Sequence, residues 1–153
     1  MLGFAAWLAR RLSLAVNRGH GVAARINRAY LRSKGIKLGA GVHVNQQASF
    51  TDDGMVTIGA GSSVSAAMFC THSGHDLIAS RKLGRYISTK RPIVVGIDCF
   101  IGWGAILLPG TVIGDNCIVG AGSVVRGTVP PGCVVIGNPA RVVGPTADYM
   151  RKL

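Results

Sequence analysis

Residues 95–130, VGIDCFIGWGAILLPGTVIGDNCIVGAGSVVRGTVP, carry an apolar residue at every sixth position. The apolar series is Val95, Ile101, Leu107, Ile113, Val119 and Val125, and glycine directly follows four of its members. Four places after each apolar residue runs a second series, small as far as Ser123: Cys99, Ala105, Thr111, Cys117, Ser123, Val129. A helix repeats near 3.6 residues and a strand at two, so neither alone sustains a period of six. A short strand followed by a corner does.

Three such units close one triangular coil, and stacked coils pair their strands into a β-solenoid. Glycine beside the apolar residue suits the corner because it adopts backbone angles barred to other residues. Earlier hexads begin at Leu38-Gly39, and the register slips by two residues around 51–54. The inward residues on the two sides of this slip are expected to be Leu38, Val44 and Phe50, and then Ile58, Val64 and Cys70. The sequence therefore predicts an all-β solenoid.

No hexad fits residues 71–92, THSGHDLIASRKLGRYISTKRP. The stretch is polar and basic, and it is long enough to stand out from the solenoid wall. Long loops without secondary structure of their own are usually functional or disordered. We expect residues 72–92 to form a protruding loop.

The run IGWGAILLPGTVIGDNCIVGAGSVV (101–125), followed by VIGNPARVVG (135–144), resembles the hexapeptide-repeat acyltransferases. The resemblance is strongest to the branch of maltose and galactoside O-acetyltransferases, and it covers roughly residues 38–144. It implies a left-handed parallel β-helix, a homotrimer and acetyl-CoA as acyl donor. The expected division is an amphipathic helical segment at 1–37, the β-helix at 38–144 and a tail at 145–153.

Acyl transfer to a hydroxyl needs a base, and histidine titrates nearest to neutrality. Of the four histidines, His20 and His43 are expected to be surface residues. A gap-free match to the family places Gly74-His75 on its Gly-His pair, so the resemblance implies His75 as the catalytic base and leaves His72 as a neighbour that shapes the substrate site.

The same match puts Asn45 and Asp53 on positions that the family uses to hold the acceptor. The alternative readings are a corner asparagine and a turn aspartate without a role in binding. For the cofactor, the positions that match the family are Trp103, Ala121, Arg126, Gly127 and Arg141. Two of these stretches depart from the family: Phe100 stands where it often has tryptophan, and Arg126-Gly127 replaces its Thr-Lys pair.

Residues 1–37 hold eight lysines and arginines and no acid. Leu8, Leu12, Ala15 and Val16 have helical spacing, and after a break near 19–21 the pattern returns at Val22, Ile26, Ala29 and Tyr30. Two short amphipathic helices are predicted, neither able to span a bilayer. They either cap the open end of the solenoid or lie on an anionic membrane through their basic faces, and both roles are compatible.

The composition narrows the partners. With 153 residues we expect one domain, and the net charge of +11 favours an anionic partner. Nucleic acid is not expected, because no binding motif is present and the aromatic residues are not interleaved with the basic ones. The four cysteines show no zinc spacing, and Cys99 and Cys117 should stack one coil apart as small fillers. Without a secretory signal we expect a cytoplasmic protein, and peripheral contact with the inner face of the membrane is compatible with this expectation.

These observations predict an acetyl-CoA-dependent O-acetyltransferase that acts on a sugar or polysaccharide-precursor hydroxyl, small or lipid-linked. The transfer would be direct, with no metal. Two alternatives stay open. A γ-type carbonic anhydrase uses the same solenoid but needs three histidines around zinc. A non-catalytic solenoid would bind a partner through its basic end.

Overall fold

The computed structural model describes residues 20–153. Within these residues, helix α1 (His20–Ser33) comes first and fifteen strands follow. In chain order these are β1 (Lys37–Leu38), β2 (His43–Val44), β3 (Ser49–Phe50), β4 (Val56–Ile58), β5 (Ser63–Val64), β6 (Met68–Phe69), β7 (Ile93–Val95), β8 (Phe100–Ile101), β9 (Ile106–Leu107), β10 (Val112–Ile113), β11 (Ile118–Val119), β12 (Val124–Val125), β13 (Thr128–Val129), β14 (Cys133–Gly137) and β15 (Ala140–Pro145). Helix α2 (His75–Leu83) lies between β6 and β7, and α3 (Thr146–Met150) follows β15.

The strands form three sheets that the chain visits in turn. The first sheet has the order β1-β4-β7-β10-β13, the second β15-β14-β11-β8-β5-β2 and the third β12-β9-β6-β3. The strand pairs are parallel, except that β14 pairs with β15 in an antiparallel hairpin. This is the triangular parallel solenoid that the sequence predicts.

The strand register follows the predicted coil length. Val94 pairs with Val112 and Phe100 with Ile118, so that these residues meet the ones three hexads further along the chain. The last coil is two residues shorter, because Val112 pairs with Thr128 and Ile118 with Val134. In the first coil Lys37 pairs with Thr57, so the separation of the paired residues exceeds three hexads by the two-residue slip.

Before the loop, one inward position differs from the prediction. Phe50 pairs with Phe69 rather than with Cys70, because the turn between β5 and β6 is one residue shorter than the turn between β2 and β3. Phe69 therefore takes the inward position that was predicted for Cys70. Its ring is fully buried and stacks on that of Phe50 with ring centroids 4.8 Å apart.

The interior of the solenoid consists of the two predicted series. The apolar series from Val95 to Val125 is buried, and so is the small series from Cys99 to Ser123. Val129 is also buried, but it pairs with Ile113 and therefore continues the apolar column rather than the small series. Cys99 and Cys117 are free thiols that donate to the main-chain oxygens of Gly114 and Pro130, both at 3.1 Å. Burial raises the pKa of both thiols, so these residues fill the core as unreactive groups.

The hexad glycines are needed for a different reason than the one predicted. A Cβ on Gly102 would lie 2.6 Å from the main-chain nitrogen of Ala121 in the next coil, so close approach of the coils excludes a side chain. Positive φ occurs two residues later in the corner, where only glycine, aspartate or asparagine is found. This series is Asp98, Gly104, Gly110, Asn116 and Gly122.

Helix α1 covers the first coil, which is the predicted capping role. Its buried face is Ala23, Asn27 and Leu31, and Asn27 Nδ2 donates to the carbonyl oxygen of Val44 at 2.8 Å. The predicted apolar face was wrong, because Val22 and Ile26 are exposed. The other predicted helix, near residues 8–16, lies outside the described residues. Within residues 20–153 no helix is long and apolar enough to cross a membrane.

The polar composition of the protruding loop suggested that it has no secondary structure. In the structure, α2 occupies the first half of this loop. None of the residues of α2 is buried, and the helix ends at Gly84 in the left-handed conformation. The loop therefore projects from the solenoid as a short helix with an extended return. At the C-terminal end of the solenoid, β14 and β15 form the antiparallel hairpin and α3 follows it.

Adjacent residues of β10 provide a matched test of the inward series. Ile113 is 1% exposed and Val112 is 38% exposed. Ile113→Ala should lower the free energy of unfolding by about 2–5 kcal/mol, because it leaves a cavity between coils. Val112→Ala should cost less than about 1 kcal/mol. Urea denaturation followed by circular dichroism measures both, and equal losses would contradict the assigned faces.

Candidate active site

A cleft of about 690 Å³ opens where the third sheet turns into the first. We call this corner of the prism the third-to-first edge. The walls come from the loop at His72–His75, from the turn at Leu108–Gly110 and from Arg126-Gly127. Residues that are far apart in the chain meet here because each follows a strand of the third sheet.

Asp52 belongs to residues 51–54, where the hexad register slips, here called the slip segment. Its carboxylate binds both ends of the loop. Its Oδ2 accepts a hydrogen bond from Thr71 Oγ1 at 2.5 Å and lies 2.6 Å from His72 Nδ1. Its Oδ1 accepts from Lys90 Nζ at 2.6 Å. These contacts, that of Lys90 first and then those of Thr71 and His72, hold the pKa of Asp52 well below its usual range. Asp52 is therefore an ionised anchor for the loop.

A second aspartate closes the loop upon itself. Asp76 in the first turn of α2 accepts hydrogen bonds from Thr89 N–H and Thr89 Oγ1, both at 2.8 Å. The main-chain bond of Thr89 is the largest cause of the lowered pKa of Asp76. The main-chain N–H of Arg91 donates to the carbonyl oxygen of Thr71 at 2.8 Å. The start and end of the loop are thus held side by side.

His75, the predicted base, is the first residue of α2 and lines the cleft. Its Nδ1 lies 2.6 Å from Ser73 Oγ, and its Nε2 lies 3.6 Å from Asp76 Oδ1. The side chain is 62% exposed. A histidine that is accessible from the cleft and has a nearby carboxylate can take up and release a proton.

The described lining of the cleft contains arginines and no acid. Arg91 packs over Gly110, where an added Cβ would lie 3.1 Å from Arg91 Cδ. Gly110 also has a φ of 78°, which other residues rarely adopt. Arg126 lines the same cleft. The cleft can attract a phosphorylated ligand.

The predicted acceptor residues lie in another pocket. Asn45 and Asp53 line a depression of about 220 Å³ between α1 and the first coil. Asp53 pairs with Lys34 at 3.2 Å, and Asn45 Oδ1 accepts from the N–H of Gln47 at 2.9 Å. Asp53 thus lines this depression, whereas the adjacent Asp52 faces Thr71, His72 and Lys90 of the loop. One chain alone does not bring Asn45 and Asp53 together with His75 in a single pocket.

The predicted cofactor residues are also divided between two edges. Arg126 and Gly127 line the histidine cleft, whereas Trp103 and Ala121 lie where the second sheet turns into the third, here called the second-to-third edge. Trp103 is 58% exposed. Arg141 lies on β15, and its side chain donates to the carbonyl oxygen of Ala140.

The residues that hold the loop in place at this site were not predicted from the sequence. Asp52 was not singled out, and Lys90 and Arg91 stood out only as part of a basic loop. The pair Asp52-Asp53 at the register slip was a signal for the region. It could not tell which carboxylate faces the loop, because that depends on the path of the slip segment.

No group of three or more histidine, cysteine, aspartate or glutamate side chains in residues 20–153 is arranged to hold a metal ion. His43 lies apart from the cleft, on the outer face of the second sheet, where it is exposed as predicted.

Comparisons with known proteins agree with this architecture. Residues 92–126 match the family model described as the hexapeptide repeat of succinyl-transferase. Galactoside O-acetyltransferase of Escherichia coli (strain K12) is 35% identical over 109 residues, which is 71% of this chain and 53% of that protein. The putative lipopolysaccharide biosynthesis O-acetyl transferase WbbJ of the same strain is 32% identical over 110 residues, 67% of this chain and 56% of that protein. The chain thus spans about half the length of these relatives.

A solved structure extends the agreement to almost the whole chain. The hexapeptide-repeat containing acetyltransferase VCA0836 from Vibrio cholerae has a TM-score of 0.63 and 25% sequence identity, and the match covers 91% of this chain and 89% of that one. That protein has also been solved in complex with acetyl coenzyme A. The predicted fold class, a left-handed parallel β-helix, is confirmed.

The contacts of Asp52 predict a pH-dependent contribution to stability. Its carboxyl pKa is lower in the folded chain than in the unfolded chain. The contribution is therefore complete above the unfolded value, about 3.9, and is lost as the pH falls through the folded value. Asp52→Asn should cost about 1 kcal/mol at pH 7, and the difference from wild type should shrink below pH 4. Denaturation midpoints measured between pH 7 and pH 3 test this, and a difference that does not change with pH would contradict it.

Proposed function

The chain belongs to the hexapeptide-repeat acyltransferase family, and from this premise we propose that it transfers an acetyl group from acetyl-CoA to a hydroxyl of a sugar or polysaccharide precursor. The relatives that carry O-acetyltransferase names support the reaction type. The acetyl-CoA complex of the Vibrio cholerae protein supports the donor.

One observation carries the proposal. The predicted base, His75, and two of the predicted donor-binding residues, Arg126 and Gly127, line the same cleft. They come from the inserted loop and from a much later coil, so sequence proximity does not explain their meeting. A base beside a cationic groove is what acetyl transfer from a polyphosphorylated thioester requires.

In the proposed reaction His75 accepts the proton of the acceptor hydroxyl while the oxygen of that hydroxyl attacks the thioester carbonyl. The carbon–sulfur bond then breaks, the protonated His75 returns its proton to the leaving sulfur, coenzyme A leaves as the thiol, and the acetyl group is carried by the acceptor as an ester. Cys70 also lines the cleft, but burial raises the pKa of its thiol. A thiol with a raised pKa is a poor nucleophile, which supports direct transfer over an acetyl-cysteine intermediate.

The donor phosphates are proposed to meet Arg126 and Arg141. Glycines at positions 110 and 127 keep side chains out of the cleft wall near Arg126, which suits close approach of a ligand to the main chain. Trp103 and Ala121 are proposed to contact the donor from the second-to-third edge. Asn45 and Asp53 are proposed to hold the acceptor.

These residues occupy separate edges and pockets of one chain, which leads us to propose a homotrimer. If copies associate side by side, the second-to-third edge of one chain can face the third-to-first edge of the next. Exposed apolar side chains at Trp103, Phe100 and Met68 give such a contact an apolar surface. Light scattering should then give a mass about three times the 15.9 kDa of one chain.

Cytoplasmic residence is proposed because the four cysteines are free, as expected in a reducing compartment. The described part of the basic N-terminal segment, α1, packs on the first coil. Contact with anionic lipid through residues 1–37 stays a prediction, and residues 1–19 of this segment lie outside the described residues. Salt-sensitive binding of the full chain to anionic vesicles, with none to neutral vesicles, would support it.

An acceptor screen tests the proposed function against its rivals. The full chain is incubated with acetyl-CoA and a panel of sugars, and thiol release is followed together with the mass of the product. Acceptor-dependent thiol release and an acetylated sugar are expected. Bound zinc with carbonic anhydrase activity would favour the metalloenzyme, and failure to bind coenzyme A would favour a non-catalytic solenoid.

The role of His75 gives the first kinetic prediction. His75→Ala should lower the rate of acetyl transfer by about 10²- to 10⁴-fold, the range for loss of a general base. The fold should survive, because the side chain lies outside the solenoid core. His72→Ala should cost less. If His72→Ala proves the more damaging substitution, the assignment of the base is wrong.

The donor site gives the second kinetic prediction. Replacing both Arg126 and Arg141 by alanine should raise the KM for acetyl-CoA more than it lowers kcat, because the lost contacts bind substrate and transition state alike. The effect should shrink at high salt as screening increases. Steady-state kinetics at low and high salt measure this, with Arg151→Ala at the end of α3 as the matched cation outside the site. An unchanged KM at low salt would refute the donor assignment.

A further inference from the structure

The cleft holds a second histidine whose ring is more constrained than that of His75. The Nδ1 atom of His72 lies 2.6 Å from Asp52 Oδ2. The same carboxylate accepts hydrogen bonds from Thr71 Oγ1 and Lys90 Nζ. A carboxylate that is surrounded by donors stays ionised and can only accept. Nδ1 of His72 must therefore carry a hydrogen.

This contact determines the tautomer of the neutral ring. With the hydrogen on Nδ1, the lone pair is on Nε2, and a neutral His72 can only accept a hydrogen bond there. His75 differs, because its Nδ1 faces the hydroxyl of Ser73 at 2.6 Å. A hydroxyl can donate or accept, so Ser73 leaves both tautomers of His75 open.

The position of Asp52 makes this constraint rigid. Its side chain is only 15% exposed, and its partners belong to both ends of the loop, Thr71-His72 and Lys90. The orientation of His72 is therefore coupled to closure of the loop. Nothing about the reacting hydroxyl requires this arrangement, since His75 is already available as the base.

We propose that Nε2 of His72 accepts a hydrogen bond from a second hydroxyl of the acceptor, next to the hydroxyl that is acetylated, and that Asp52 is the positioning residue for this contact. The inference rests on the proposed function and adds a substrate class: the acceptor carries two neighbouring hydroxyls. His72 and His75 line one cleft and are close together in the chain, which places two polar groups against one short segment of ligand.

The first test measures the tautomer without any acceptor. The full chain is labelled with ¹⁵N-histidine, and the ring nitrogens are observed by NMR at a pH where the imidazole is neutral. The signals of His72 are assigned with a His72→Phe variant. We expect the Nδ1–H tautomer in the wild type and a mixture in Asp52→Asn. Asp148→Asn, which removes a surface carboxylate paired with Arg151, should leave the tautomer unchanged.

The second test measures the proposed hydrogen bond in the reaction. The probes are methyl α-D-glucopyranoside and methyl α-D-galactopyranoside, with their monodeoxy analogues, and the acetylated position is located by NMR of the product. Removal of the hydroxyl next to that position should lower kcat/KM by about tenfold or more in the wild type. The same removal should change kcat/KM less than about threefold in His72→Phe. His72→Gln, which keeps an acceptor atom, should recover part of the discrimination.

The outcomes separate the inference from the function on which it rests. An Nε2–H tautomer in the wild type would overturn the inference even in an active enzyme. Equal loss of kcat/KM for the deoxy probe in wild type and His72→Phe would also overturn it. If no sugar is acetylated and coenzyme A does not bind, the proposed function fails, and the substrate role of His72 fails with it.

Discussion

The structure depends on the hydrogen bonds between successive coils, which hold every strand at one fixed spacing. From Val94 onward the partner of each strand residue lies three hexads away until the last coil. Inward side chains must then stack in columns, and the coils approach so closely that Gly102 has no room for a Cβ. The period of six in the sequence is the result of this spacing.

The same constraint explains how a long insertion can carry the candidate site. The chain leaves the wall after β6 and returns at β7, yet β7 pairs with β4 in register. Asp52, Thr71 and Lys90 hold the two ends of the loop together at the wall. The loop can therefore position histidines without disturbing the strands. The histidines face Arg126 because the third-to-first edge returns once in each coil.

The sequence predicted the features that follow from period alone. The sheets, the inward residues of the regular coils and the two-residue slip could be derived in this way. The inward position of Phe69 was not predicted, because a turn that is one residue shorter does not change the composition. Helix α2 was not predicted because it buries no apolar face, and prediction of a helix from sequence depends on such a face. The hexad glycines were identified from the sequence, but the distance between coils that requires glycine at position 102 cannot be derived from it.

The candidate site was predictable only as far as its residue types. His72, His75 and Arg126 could be identified, whereas their meeting depends on the number of coils between them. The opposite orientations of Asp52 and Asp53 depend on the local path of the slip segment. Asp53 faces Lys34 of the chain entering the solenoid, and Asp52 faces the loop. Neither contact follows from a motif.

The most direct measurement is a crystal structure of the full chain with coenzyme A and an acceptor sugar. We expect the sulfur of coenzyme A beside His75, the phosphates near Arg126, and Trp103 contacting the donor from the second-to-third edge of a neighbouring copy. Coenzyme A bound away from the histidine cleft, or a monomer that holds it without a neighbouring chain, would contradict this description of the site.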